Sequence, residues 1–238
     1  GPPQISTISR LDFSNETVSN PVNNLPSARS FFAATSSSSY GYFGGGFTPA
    51  MISTISRLDF SNETVSNPGN NLPSEKWALA ATSSSSYGYF GGGQTSPSVS
   101  ITTIDRLDFS NETVSVPTSK LSNQNYVLAA TASNSYGYFG GGRHPGPPPI
   151  GVTYTCTIDR LDFSTETRTT PGSTLSEARG ELAATSSSFY GYFAGGRASP
   201  TGSISTIDRL DFSTEIVSAS SPSLPVGQLT LAALSNSN

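Results

Sequence analysis

The pentapeptide Arg-Leu-Asp-Phe-Ser occurs five times, starting at Arg10, Arg57, Arg106, Arg160 and Arg209, so that copies lie 47, 49, 54 and 49 residues apart. Tyr-Gly-Tyr-Phe starts at Tyr40, Tyr87, Tyr136 and Tyr190, with the first three of those spacings. A unit of about 50 residues cannot bury a core alone and must stack on its neighbours in a solenoid, a ring or an array. Residues 1–238 therefore read as one domain of units spanning about 6–52, 53–102, 103–156, 157–204 and 205–238. Repetition also argues against an ordinary active site. Of the sixteen carboxylates, thirteen recur at equivalent positions, as expected of architectural hydrogen-bonders rather than of a catalyst.

Each unit holds four short segments. Segment A is Phe31–Thr35, with equivalents Ala78–Thr82, Val127–Thr131 and Glu181–Thr185. Segment B is Tyr40–Gly46, segment C is Thr54–Phe60 in the second copy, and segment D is the Glu-Thr-Val-Ser stretch around Val65. Aromatic and β-branched residues with period-two alternation predict strands, and nothing offers helical periodicity. Four strands joined by tight turns predict an antiparallel sheet of the kind that makes a propeller blade. The Ala-Ala pairs of segment A suit the crowded axis. The glycines ending segment B allow positive φ and close backbone approach, and Asp-Phe-Ser-Asn-Glu is a turn in which side chains bond their own backbone.

Arg29, Phe32–Thr35, Tyr42–Gly45 and Ile55–Asp59 fall in the order of a kelch unit: a basic residue, an apolar strand, an aromatic strand ending in double glycine, then an apolar-x-apolar strand ending in Asp. The chain resembles kelch repeats over its whole length, except that Val18, Val65 and Val114 stand where that family carries a tryptophan. The wording of the repeats is also similar to repeat proteins of marine bacteriophages, which implies a virion-associated or extracellular setting.

The chain begins at segment C and ends after segment A, so five copies of A and C face four of B. Kelch-type closure would join the two ends in one composite blade. The expected fold is thus an all-β, β-propeller of four-stranded antiparallel blades, five-bladed, with a composite and incomplete closing blade. Self-association through that incomplete blade is a further expectation. Gly1-Pro2 resembles the scar of a cleaved affinity tag, so the expectation is a segment of a longer protein.

A net charge of −4 and a pI near 4.9 exclude the basic stripe that nucleic acid requires. Apolar runs such as Trp77–Ala81 are too short to span a bilayer, and no signal peptide is expected within this stretch of sequence. The single cysteine, Cys156, forms no intrachain disulfide. The expected cofactors and metals are none. His144 is the only histidine, so neither a Ser-His-Asp triad nor a transition-metal site has the residues it needs.

Comparison of the units shows where they differ. The connection from B to C contains 8, 10, 15 and 10 residues, and removing these from 47, 49, 54 and 49 leaves 39 every time. Because strand direction alternates, that connection emerges on the same rim as the one from D to the next A, where residue identity varies most. Loops on a rigid scaffold are the usual place for binding. The candidate ligand-binding residues are Arg29, Ser30, Phe47, Lys76, Trp77, Gln94, Asn125, Tyr126, Arg143, His144, Arg179 and Arg197, and the expected partner is a glycan or a protein surface. The loop Arg143–Thr157 is the one elaboration specific to a single blade. A purely structural spacer or decoration domain is the alternative. A glycoside-active enzyme comes third, with Glu177 and Glu181 as the only carboxylates placed to serve it.

Overall fold

The computed structural model of the protein describes residues 4–21, 23–146, 151–199, 202–221 and 223–235, and every regular element among them is a strand. The chain opens with a hairpin, β1 (Arg10–Asp12) and β2 (Thr17–Ser19). Blade 1 consists of β3 (Ala33–Ser36), β4 (Tyr40–Gly44), β5 (Ile55–Asp59) and β6 (Val65–Ser66). Blade 2 starts with β7 (Ala80–Ser83) and β8 (Tyr87–Gly91), continues through a small hairpin, β9 (Gln94–Ser96) and β10 (Val99–Ser100), and ends with β11 (Ile104–Asp108) and β12 (Val114–Ser115). Blade 3 repeats this plan with β13 (Ala129–Ala132), β14 (Tyr136–Gly140), the hairpin β15 (Arg143–Pro145) and β16 (Val152–Tyr154), then β17 (Ile158–Asp162) and β18 (Arg168–Thr169). Blade 4 has β19 (Ala183–Ser186), β20 (Tyr190–Ala194), the hairpin β21 (Arg197–Ala198) and β22 (Gly202–Ser203), β23 (Ile207–Asp211) and β24 (Val217–Ala219).

The four main strands of each blade form one antiparallel sheet in chain order, innermost strand first, and the small hairpins of blades 2 to 4 are separate two-stranded sheets. The register is the same throughout: Thr35, Thr82, Thr131 and Thr185 lie opposite Tyr42, Tyr89, Tyr138 and Tyr192. The alanine-rich inner strands pack side by side around an axial cavity of about 780 Å³. Small side chains let them crowd there. The core lies between blades rather than within them: Tyr42 and Ile55 of blade 1 share a buried cluster with Phe90 and Leu107 of blade 2.

Glycine at the end of the second strand is required by that packing in blades 1 to 3, whereas blade 4 ends that strand in Ala194. A Cβ added to Gly44, Gly91 or Gly140 would lie 2.6, 2.6 or 2.7 Å from the ring of Phe90, Phe139 or Phe193 in the next blade. The polar turns are equally regular. The Asp59 carboxylate accepts from the Ser61 amide at 2.8 Å, and Asp108, Asp162 and Asp211 do the same for Ser110, Ser164 and Ser213. The neighbouring arginines reach across to the following blade: Arg57 to Glu112, Arg106 to Glu166 and Arg160 to Glu215, each at 2.8 Å. Both members of the repeated Arg-x-Asp pair are thus structural.

The two ends dock separately, one on blade 1 and the other on blade 4. The hairpin docks on blade 1 as each third strand docks on the next blade, with Leu25 N–H donating to Ser6 at 2.8 Å as Leu72 N–H does to Ser53. At the other end, Thr230 N–H donates to Glu181 at 2.8 Å, which places a fifth inner segment beside the cavity. Among the described residues no hydrogen bond joins the two pieces, consistent with four copies of segment B against five of segment A.

Candidate functional site at the variable rim

The two variable connections of each blade meet in a two-residue bridge. Ser30 pairs with Phe47, Trp77 with Gln94, Tyr126 with Arg143, and Gly180 with Arg197. Both backbone hydrogen bonds form in every pair, between 2.7 and 3.1 Å. The residue after each entry position takes positive φ: 55° at Phe31, 57° at Ala78, 50° at Val127 and 60° at Glu181. From there its N–H reaches the preceding blade, as when Ala78 donates to Phe31 at 2.8 Å. Positive φ is uncommon for non-glycine residues, and here an inter-blade bond holds it in place. The backbone of this rim is therefore constant, and side-chain identity is what differs.

Five of the expected contact residues turn inward. Arg29, Lys76, Asn125, Arg179 and Gln94 are all buried. Lys76 Nζ meets Asp105 at 2.6 Å with both side chains 1 % exposed, and Arg179 meets Asp208 at 3.0 Å with both fully buried. Arg29 donates to the carbonyls of Gly45 and Thr54 at 3.2 and 3.3 Å and to the hydroxyl of Ser56. Asn125 donates to the Gly141 carbonyl at 3.4 Å, and Gln94 to Ser100 at 3.3 Å. The expectation that these five present themselves to a ligand is corrected. The position before each inner strand points into its own blade, where Ser56, Asp105 and Asp208 await it. Burial pushes the Asp105 carboxyl up while the Lys76 ammonium pulls it down. Burial also lowers the Arg29 and Arg179 guanidinium groups, opposed at Arg179 by Asp208.

Seven candidates remain at least partly accessible: Ser30, Phe47, Trp77, Tyr126, Arg143, His144 and Arg197. They form two groups. Trp77 stands edge-on to Phe31 at 5.0 Å and tilts toward Phe47 at 5.8 Å, an aromatic knot between blades 1 and 2. Arg143 lies over Tyr126 at 5.2 Å and Tyr154 at 5.7 Å and pairs with Glu181. Glu181 is thereby engaged in an ion pair with Arg143. His144 stands opposite Thr153 in the hairpin of blade 3. Residues 147–150 of the long proline-rich loop lie outside the described residues. Among the described residues no three of His, Cys, Asp and Glu cluster as metal ligands would.

Two clefts lie on the opposite rim. Clefts of about 430 and 370 Å³ open between blades 1 and 2 and between blades 3 and 4, at the serine turns and the Asp-Phe-Ser turns of the opposite rim. Sequence reasoning singled out neither cleft, because repeated turns carry no contrast between units.

Against known proteins the architecture is familiar. The solved structure of YjhT, one of 298 matching chains, superposes with a TM-score of 0.76 at 12 % identity, over 90 % of this chain and 75 % of that one. The fold is a β-propeller. No family model matches the chain, and no curated protein matches its sequence. A shape shared this widely selects no function by itself.

Proposed function

We propose that this chain is a non-enzymatic binding module that meets a glycan or a protein surface with its variable rim, on a virion or outside a cell. What carries the proposal is the set of four bridged pairs: identical backbone geometry displays unlike side chains at every blade. Aromatic faces stack on sugar rings and on apolar protein surface, and a guanidinium forks to acids. Trp77 with Phe47, and Tyr126 with Arg143, supply these groups, and Arg197 adds an exposed cation without an ion-pair partner among the described residues. The bacteriophage-like wording of the repeats supports the setting, and the order of residues in each unit supports a kelch-type propeller.

Retention on a glycan and cell-surface array is the test. The double substitution Trp77→Ala and Tyr126→Ala is expected to weaken retention on the order of tenfold or more, as loss of aromatic anchors does. Phe189→Ala, at the opposite rim where Phe189 is 73 % exposed, is expected to leave it unchanged. The opposite pattern would transfer binding to the serine-lined clefts and refute the variable rim. A second reading, a structural spacer, is favoured by the uniform contacts between blades, and absence of retention on any surface would select it.

A further inference from the structure

Three junctions between blades use one set of contacts, in which a tyrosine and an arginine of one blade grip a phenylalanine and a glutamate of the next. Tyr42 stacks on Phe109 at 5.3 Å and donates to Glu112 at 3.1 Å, and Arg57 pairs with the same Glu112. Tyr89 and Tyr138 repeat this on Phe163 with Glu166 and on Phe212 with Glu215. The chain holds one further tyrosine–arginine half and two further phenylalanine–glutamate halves, and of the latter Phe60 with Glu63 already faces the chain's own N-terminal hairpin, whose Arg10 pairs with Glu63. Tyr192 and Arg209 lie at the free side of blade 4, and Phe13 and Glu16 lie in the turn of the N-terminal hairpin. Among the described residues these halves do not meet. Phe13 is 50 % exposed, and Tyr192 is partly exposed where Tyr42, Tyr89 and Tyr138 are fully buried.

The free half is already shaped for its partner. Arg209 lies 4.7 Å over the Tyr190 ring, as Arg57 lies 4.6 Å over Tyr40 and Arg160 lies 4.6 Å over Tyr136. It presents its cation in the pose in which its sister residues hold a glutamate. Position 194 says what kind of unit fits there. Its equivalents Gly44, Gly91 and Gly140 have no room for a Cβ, because the second strand of the next blade brings a phenylalanine to within 2.6–2.7 Å of where that atom would be. Ala194 carries the Cβ. A complete blade would collide with it, whereas a two-stranded hairpin brings no such phenylalanine.

We propose that the blade 4 edge of one molecule receives the N-terminal hairpin of a second copy, with Tyr192 on Phe13 and Arg209 on Glu16. The contact is heterologous, so it propagates head to tail into a filament or a larger ring. It uses neither the side chains nor the rim of the binding proposed above, and either can fail without the other.

Light scattering over a concentration series tests it. Wild type is expected to gain mass as concentration rises. Arg209→Glu and Glu16→Arg alone, each placing like charges in the contact, are expected to weaken association on the order of tenfold or more. Mixing the two variants is expected to restore it, because every contact in an alternating assembly then joins opposite charges. The introduced glutamate faces the introduced arginine at one contact, and the native Arg209 faces the native Glu16 at the next. Unchanged thermal midpoints check that both variants fold. Monomer mass for wild type at all concentrations, or no recovery on mixing, would overturn the proposal in favour of a hairpin that serves only its own chain.

Discussion

Lys76, Arg179 and Arg29 show how much a single buried position decides. The first two meet a carboxylate inside their blades, whereas Arg29 meets the hydroxyl of Ser56 at the same site. Converting Ser56→Asp completes the pair and is expected to raise stability by about 1.5–3 kcal/mol, the range for hydrogen bonds to charged groups, as seen in the urea midpoint. Asp105→Asn strands the Lys76 charge and is expected to cost about 3–5 kcal/mol. This pairing was legible in the sequence. Ser56, Asp105, Asp159 and Asp208 line up with Arg29, Lys76, Asn125 and Arg179 in successive units. It was misread because variation among polar residues marks a position as permissive without revealing whether the side chain points outward or inward.

At the level of strands, the second strand of each blade is a contact surface made by omission. Gly91→Ala would force the Phe139 ring aside and is expected to destabilise by about 1–3 kcal/mol, as overpacking does. Ala194→Gly removes a Cβ that touches no following phenylalanine and is expected to cost no more than about 1 kcal/mol, the backbone entropy of glycine in a strand. Thermal midpoints of the two variants measured side by side check the contrast. The positions of all four strands, their turns and the innermost place of the alanine strand were readable from alternation and glycine placement. The small hairpins β9–β10, β15–β16 and β21–β22 were not, because connections of 10, 15 and 10 residues carry no shared pattern.

Over the whole molecule, acid sensitivity follows from the turns. Hydrogen bonds from the following serine hydroxyl and amide, led by the hydroxyl, hold Asp12, Asp59, Asp108, Asp162 and Asp211 below the ordinary carboxylate value of 3.8. A depressed folded-state value means that stabilisation is complete above the unfolded value and is lost as pH falls through the folded one. Asp105, raised by burial, acts in the opposite sense, but it is one group against five. Unfolding midpoints are expected to hold steady near neutral pH and to fall steeply below about pH 4. A midpoint that stays constant down to about pH 2 would contradict this.

The repeat by itself determined that the chain is a stack of like sheets, because a unit too small for its own core must borrow one from its neighbours. It also determined the strand order and the rim on which units differ, since alternation and constant spacing are local properties that survive in one dimension. Only the tertiary structure decided which side of that rim faces inward, because a buried pair joins residues 27 to 29 positions apart. It alone showed that one inter-blade contact is left divided between Arg209 and Glu16: whether two distant surfaces touch depends on blade geometry that no local pattern records.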